Sequence, residues 1–84
     1  MAALQRCIRY PEMARRGTVE GRVYVQFVVD ERGNVIDPYA ARGIGGGADE
    51  EAVRCVRELQ FRPGMQRGRP VKVQFTLPVT FRLR

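Results

Sequence analysis

The chain has no histidine, no tryptophan and only two cysteines, Cys7 and Cys55. Without histidine, Ser-His-Asp and Cys-His catalysis lose their general base. With two cysteines and no imidazole, a zinc site of ordinary ligands lacks its donors. No apolar run is long enough to cross a bilayer as a helix. The opening residues, MAALQRCIRYPEM, also lack the apolar stretch of a secretory signal. If the protein is exported, its targeting segment is expected outside this chain. At 84 residues there is no room for a Rossmann fold or a barrel, and a single domain over residues 1–84 is expected.

Acidic residues are also scarce. Nine face 15 basic ones, leaving a net charge of +6, and Lys72 is the only lysine. Such a balance suits nucleic acid, an anionic membrane surface or an acidic protein partner, and does not choose among them. The arginine clusters Arg15–Arg16, Arg54–Arg57 and Arg62–Arg67–Arg69 have no interleaved stacking aromatics, since Tyr24 alone points clearly away from the predicted core face. A solvated face or complementarity to an acidic peptide is expected, and no nucleic-acid partner.

The apolar content of 44% is enough for one core. Leu4, Cys7 and Ile8 are spaced as on a helix, predicted over residues 2–9 and ended by Pro11. Pro11 opens a second short helix to Arg16, with Gly17 as its stop. Residues 20–29 alternate, with Val23, Val25, Phe27 and Val29 on one face, as a half-buried strand does. Gly33 supplies the positive φ of a short hairpin loop, and the return strand runs from about Asn34 to Ala41. Asp49 is expected to cap a helix whose apolar stripe is Ala52, Val53, Val56 and Leu59, with Cys55 on its edge. A turn-rich segment, RPGMQRGR, leads to a last strand predicted over Pro70 to Leu83, where every odd position from Val71 is apolar.

Proline belongs on edge strands because it cannot donate to a ladder. Pro38 and Pro78 therefore put the first strand in the centre. The expected fold is α+β, a three-stranded antiparallel sheet of order 2-1-3 packed on one main helix, with short helices before it. A proline placed at Gln74 or Thr76 is expected to discriminate between them, one amide facing outward and the other into the sheet.

GIGGGA, residues 43–48, fits a dinucleotide fingerprint between a strand and a helix. Asp49, Glu50 and Glu51 put negative charge where a pyrophosphate would sit, so the segment reads as a connector. Those carboxylates read as helix-terminal charge. No catalytic residue, cofactor or metal is expected. Cys7 and Cys55 could bridge the first helix to the main one. Both also border apolar faces, as small buried hydrophobes do, and two free thiols are expected. An exported location would favour the bridge. The long alternating edge strand is a template for an added peptide strand.

The run YPEMARRGTVEGRVYVQFVVDERGNV resembles the C-terminal domain of TonB-type energy transducers. The matching positions are Tyr10, Pro11, Glu20, Gly21, Val23, Val25, Phe27, Val29, Asp30, Gly33 and Val35. Phe61, Pro63 and Gly64 follow, then Gly68, Pro70 and Val71, and the closing Pro78 to Phe81. The resemblance implies a non-enzymatic periplasmic domain that grips the Ton box of outer-membrane receptors by strand addition along the last strand. It implies an inner-membrane anchor and motor partners reached through segments outside this chain, and uptake driven by the proton gradient. The docking edge would be Pro70, Val71, Lys72, Val73, Gln74, Phe75, Thr76 and Leu77. Arg9, Tyr10 and Pro11 would touch the receptor plug. The family usually has an aromatic late in the main helix, where Leu59 and Gln60 stand here. The transmembrane helix and proline-rich spacer of a transducer are not in this sequence, as in an excised domain or in another envelope protein. A second reading is an envelope structural or regulatory module using the same fold for peptide binding or for a strand-exchanged homodimer, rather than a monomer.

Overall fold

Alternation of apolar and polar side chains makes the central strand β1 (Gly21–Val29). In the computed structural model, which describes residues 2–83, Val23, Val25, Phe27 and Val29 are all buried. Arg22 is exposed, and Tyr24, Gln26 and Val28 are half-buried on the other face. β2 (Val35–Arg42) and β5 (Val73–Phe81) flank β1, both antiparallel to it, in the order β2-β1-β5. The two prolines, Pro38 and Pro78, thus lie on the two edges, as their missing N–H groups require.

The β1–β2 turn is built by Asp30. Its carboxylate accepts the backbone N–H of Arg32 at 2.9 Å and of Asn34 at 2.8 Å. Those bonds hold its carboxyl below the usual range, the Asn34 amide being the largest cause. Gly33 sits at φ +84°, and a Cβ there would strike the Phe61 carbonyl. The Phe61 N–H in turn donates to the Gly33 carbonyl at 2.9 Å. The turn is thereby fastened to the segment that leaves the main helix.

That helix is α3 (Ala48–Arg57), with Ala48, Ala52, Cys55 and Val56 buried against the sheet. Val53 and Leu59 are half-buried, so Cys55 is central in the stripe rather than on its edge. Asp49 is not the cap. Gly47 precedes the helix at φ +84°. The Asp49 carboxylate turns back to accept the N–H of Ile44 at 2.8 Å and of Gly45 at 3.2 Å, closing the glycine-rich loop. Asp49, Glu50 and Glu51 still place negative charge in the first turn, where the dipole favours it.

Two short helices lead in, α1 (Ala2–Cys7) and α2 (Glu12–Arg16), the latter starting behind Pro11 and closed by Gly17. Leu4 of α1 joins the core. The cysteines are not free thiols. Cys7 and Cys55 form a disulfide with their Cα atoms 5.7 Å apart, stapling α1 to α3. Burial alone could not distinguish this from two separate thiols, because both readings place sulfur on an apolar face.

The last strand is shorter than its alternation suggested. β3 (Gly64–Gln66) and β4 (Arg69–Val71) form a separate two-stranded hairpin. Arg67 at φ +52° and Gly68 at φ +75° make its turn, with the two positive φ values of a type I′ loop. Lys72 breaks the chain before β5. The odd-position alternation runs unbroken across Lys72 and so hid the interruption. Leu83 lies beyond the strand.

Candidate functional site

β5 pairs with β1 from Gly21↔Phe81 to Val29↔Val73 without a single register shift. Successive residues of a strand direct their N–H and C=O groups to opposite edges. Asp30 donates its N–H to the Asn34 carbonyl across the β1–β2 turn at 2.9 Å. The even-numbered amides of β1 therefore face β2, and the odd ones face β5. It follows that Val73, Phe75, Leu77, Val79 and Phe81 bond to β1, while Gln74, Thr76, Pro78 and Thr80 turn their backbone outward. Pro78 falls on the side where no donor is needed. Gln74 and Thr76, two apart, share one direction, so the expected contrast between them does not exist.

The outward row of β5 has no strand beside it among the described residues. The other edge, β2, is a poor template. Its pairing with β1 shifts register twice, Asp37 sits at φ +50°, and Pro38 follows.

Side chains on the core-facing side of β5 divide along its length. Val79 and Phe81 are buried, Leu77 is half-buried, and Val73 and Phe75 are 38% and 46% exposed. Phe75 packs its ring 5.8 Å from Phe27 and 6.3 Å from Phe61. A cleft of about 190 Å³ opens there between Val29, Phe61, Arg62, Gly64, Val73 and Phe75. A strand laid on β5 would present alternate side chains to this apolar shelf. Phe61 was legible only as a motif position, because its place beside Phe75 depends on the Gly33 turn.

Of the residues predicted for the docking edge, Val73, Gln74, Phe75, Thr76 and Leu77 lie on β5. Pro70 and Val71 belong to the hairpin, and Lys72 joins the two. Tyr10, with Arg9 and Pro11 on either side of it in the chain, lies at the opposite end, beside Phe81. Tyr10 sets its ring edge-on to Phe81 with centroids 5.6 Å apart, and its hydroxyl donates to the Val19 carbonyl. Burial, with the Glu20 charge, pushes its phenol up. Pro11 is half-buried, and Arg9 is exposed. At about 3.4 Å per residue, Phe81 stands roughly 27 Å from Val73, so the two groups are not one pocket.

Arg9 donates its backbone N–H to Glu51 at 2.7 Å. Arg54 grips the same carboxylate through Nε at 2.9 Å and Nη2 at 3.0 Å. The Arg54 hydrogen bond, above all, holds Glu51 below its ordinary range, with the Arg9 amide adding to it. Cys7, Cys55 and Glu58 lie close together in this corner, but the sulfurs are bonded to each other and offer no thiolate to a metal.

Residues 7–83 match the family described as Gram-negative bacterial TonB protein C-terminal. Protein TonB of Vibrio cholerae serotype O1 is 32% identical over 76 residues, which is 89% of this chain and 31% of that protein. The chain thus spans less than a third of the relative's length. Two NMR solution structures of the Helicobacter pylori TonB-CTD share the fold at 23% identity. One has a TM-score of 0.77 and covers 99% of this chain and 76% of its own. The other has a TM-score of 0.73 and covers 95% of this chain and 85% of its own. With its matched span, its β2-β1-β5 sheet and its helix order, the chain belongs to the TonB C-terminal domain family.

Proposed function

We propose that this domain is the receptor-engaging end of a TonB-like energy transducer, a non-enzymatic peptide-binding module of the periplasm. The Ton box of an outer-membrane receptor adds as a strand to β5. Inner-membrane motor proteins, acting through an anchor and spacer outside this chain, would then convert proton-motive force into a pull on the receptor and active uptake. The observation that carries this reading is the outward backbone row of β5, regular over nine residues and unpaired among the described ones. Val73, Gln74, Phe75, Thr76 and Leu77 form the docking stretch, with Pro70, Val71 and Lys72 flanking it. Arg9, Tyr10 and Pro11 meet the receptor plug at the other end. A disulfide suits an oxidising compartment such as the periplasm.

Main-chain pairing depends little on the added side chains, and ordering an extended peptide costs entropy. Affinity should be about micromolar, roughly −8 kcal/mol. With a net charge of +6, acidic flanks on the peptide should tighten binding, and salt should weaken it. Calorimetric titration with a Ton-box peptide tests the reading. Gln74→Pro and Thr76→Pro each remove an outward donor and should lose binding with the fold kept. Phe75→Pro removes a donor to β1 and should destabilise the sheet instead. If the folded Gln74→Pro and Thr76→Pro proteins bind as the parent does, β5 is not the docking edge. The same free edge would also serve a strand-exchanged dimer. Sedimentation as a dimer that peptide does not dissociate would favour that second reading.

A further inference from the structure

The β3–β4 hairpin has two unlike faces. Its register pairs Gly64 with Val71, Met65 with Pro70 and Gln66 with Arg69. Side chains alternate along a strand, so Met65 and Pro70 share one face, and Gln66, Arg69 and Val71 share the other. On that second face Gln66, Arg67, Arg69 and Val71 line a concavity of about 460 Å³ that has no acidic residue in its wall. Both arginines are exposed. The ion pairs among the described residues join Arg16 to Glu12 and Arg54 to Glu51 and Glu58, so none reaches Arg67 or Arg69.

The concavity adjoins the apolar shelf of β5. A Cβ at Gly64 would strike a methyl of Val73 and lie 3.7 Å from a methyl of Val71, so both valine side chains converge on that one glycine. Gly64 and Val73 also line the cleft beside Phe75, with Arg62 at its margin. One surface therefore runs from Phe75 through Val73 and Val71 to Arg69 and Arg67, apolar at the β5 end and cationic at the hairpin.

We propose that this surface reads an acidic side chain just beyond the apolar stretch of the peptide that adds to β5, the carboxylate being held by Arg67 and Arg69. The inference rests on the strand reading of β5 and says where the acid of that peptide falls. Arg69 stands four positions before Val73, at most about 13 Å away along an extended chain. An even spacing keeps the acid on the peptide face that meets Val73 and Phe75. It is therefore expected four residues beyond the peptide residue opposite Val73. The planar guanidinium fork matches a carboxylate, and two such forks side by side favour it over a neutral group. Nucleic acid is a poorer fit, because the concavity carries no aromatic on which a base could stack.

Calorimetric titration with three synthetic peptides tests it. One alternates valine with threonine, one adds a glutamate four residues before the first valine, and one adds it four residues after the last. The direction of the added strand selects which acidic peptide gains. That one should bind about three- to fivefold more tightly than the neutral peptide, the size of an exposed ion pair. The gain should shrink with salt and vanish in the Arg67→Gln, Arg69→Gln double variant. It should persist in Arg15→Gln, on α2, and in Met65→Ser, on the other hairpin face. The neutral peptide should bind the double variant as it binds the parent, and thermal melts should match, since the altered side chains are exposed. No gain for either acidic peptide, an equal gain for both, or a gain that survives the double variant would overturn the proposal. So would an equal loss of neutral and acidic peptides in that variant. Gln74→Pro should abolish binding of all three. An arginine-dependent gain untouched by Gln74→Pro would overturn the strand reading and leave the acid contact standing, whereas no binding of any peptide would overturn both.

Discussion

Phe27 is 1% exposed, in the middle of β1, with rings of Phe61 and Phe75 at 5.5 and 5.8 Å. Truncating it leaves a cavity under both sheet and cleft, so Phe27→Ala should cost about 3–5 kcal/mol in denaturant unfolding. A near-neutral result would mean the wrong face of β1 has been assigned to the core. Glu51 offers a second test at this scale. Its folded pKa is lowered, first by Arg54. A lowered carboxyl contributes stability that is present above its unfolded pKa and is lost as pH falls through the folded one. Glu51→Gln should therefore be less stable than the parent near neutrality, and the gap should close in acid. Thermal melts of both proteins across that range would show it. A gap of constant size would mean that the Arg54 and Arg9 contacts do not depend on the charge.

Among the elements, α1 is tied to the body covalently. Six residues are too few for an independent helix, and among the described residues Leu4 in the core, the Cys7–Cys55 bridge and the Arg54 guanidinium donating to the Cys7 carbonyl tie it to the body. The bridge closes a separation of 48 residues, for which chain entropy gives about 4 kcal/mol. That is a large share for so small a domain. Unfolding with and without a dithiol reductant should differ by about this amount, and Cys7→Ser should reproduce the reduced protein. Equal stability would mean that the staple adds nothing beyond packing. The bridge was hard to read from the sequence because spacing does not give the distance between two helix faces. The β3–β4 hairpin was hidden for another reason: apolar alternation from Val71 to Val73 continues through Lys72 whether or not the strand does. The local reading held at β1, where four buried odd positions fix the face, and failed at Asp49, whose carboxylate bonds back to the glycine-rich loop instead of capping α3. The edge positions of Pro38 and Pro78 followed from a missing donor.

At the scale of the molecule, the domain is elongated, 49 × 22 × 15 Å. The core residues Phe81 and Val79 lie toward one end of β5 and the exposed Val73 and Phe75 toward the other. The free edge runs between them. The sheet order was legible because it depends on single residues. The division of β5 into a covered and an uncovered half was not, because it depends on where α3 ends and where Phe61 is tied down by Gly33. The proposed plug contacts at Arg9, Tyr10 and Pro11 and the docking stretch at Val73 to Leu77 sit at opposite ends, which only the assembled fold reveals. The central claim is that an added peptide strand pairs with the outward backbone of β5. Residue-resolved amide hydrogen exchange, with and without a Ton-box peptide, addresses it most directly. The account predicts new protection at Gln74 and Thr76, whose amides face outward, with little change at Val73, Phe75 and Leu77, already bonded to β1, and none along β2. Protection appearing on β2, or none at Gln74 and Thr76 under saturating peptide, would contradict it.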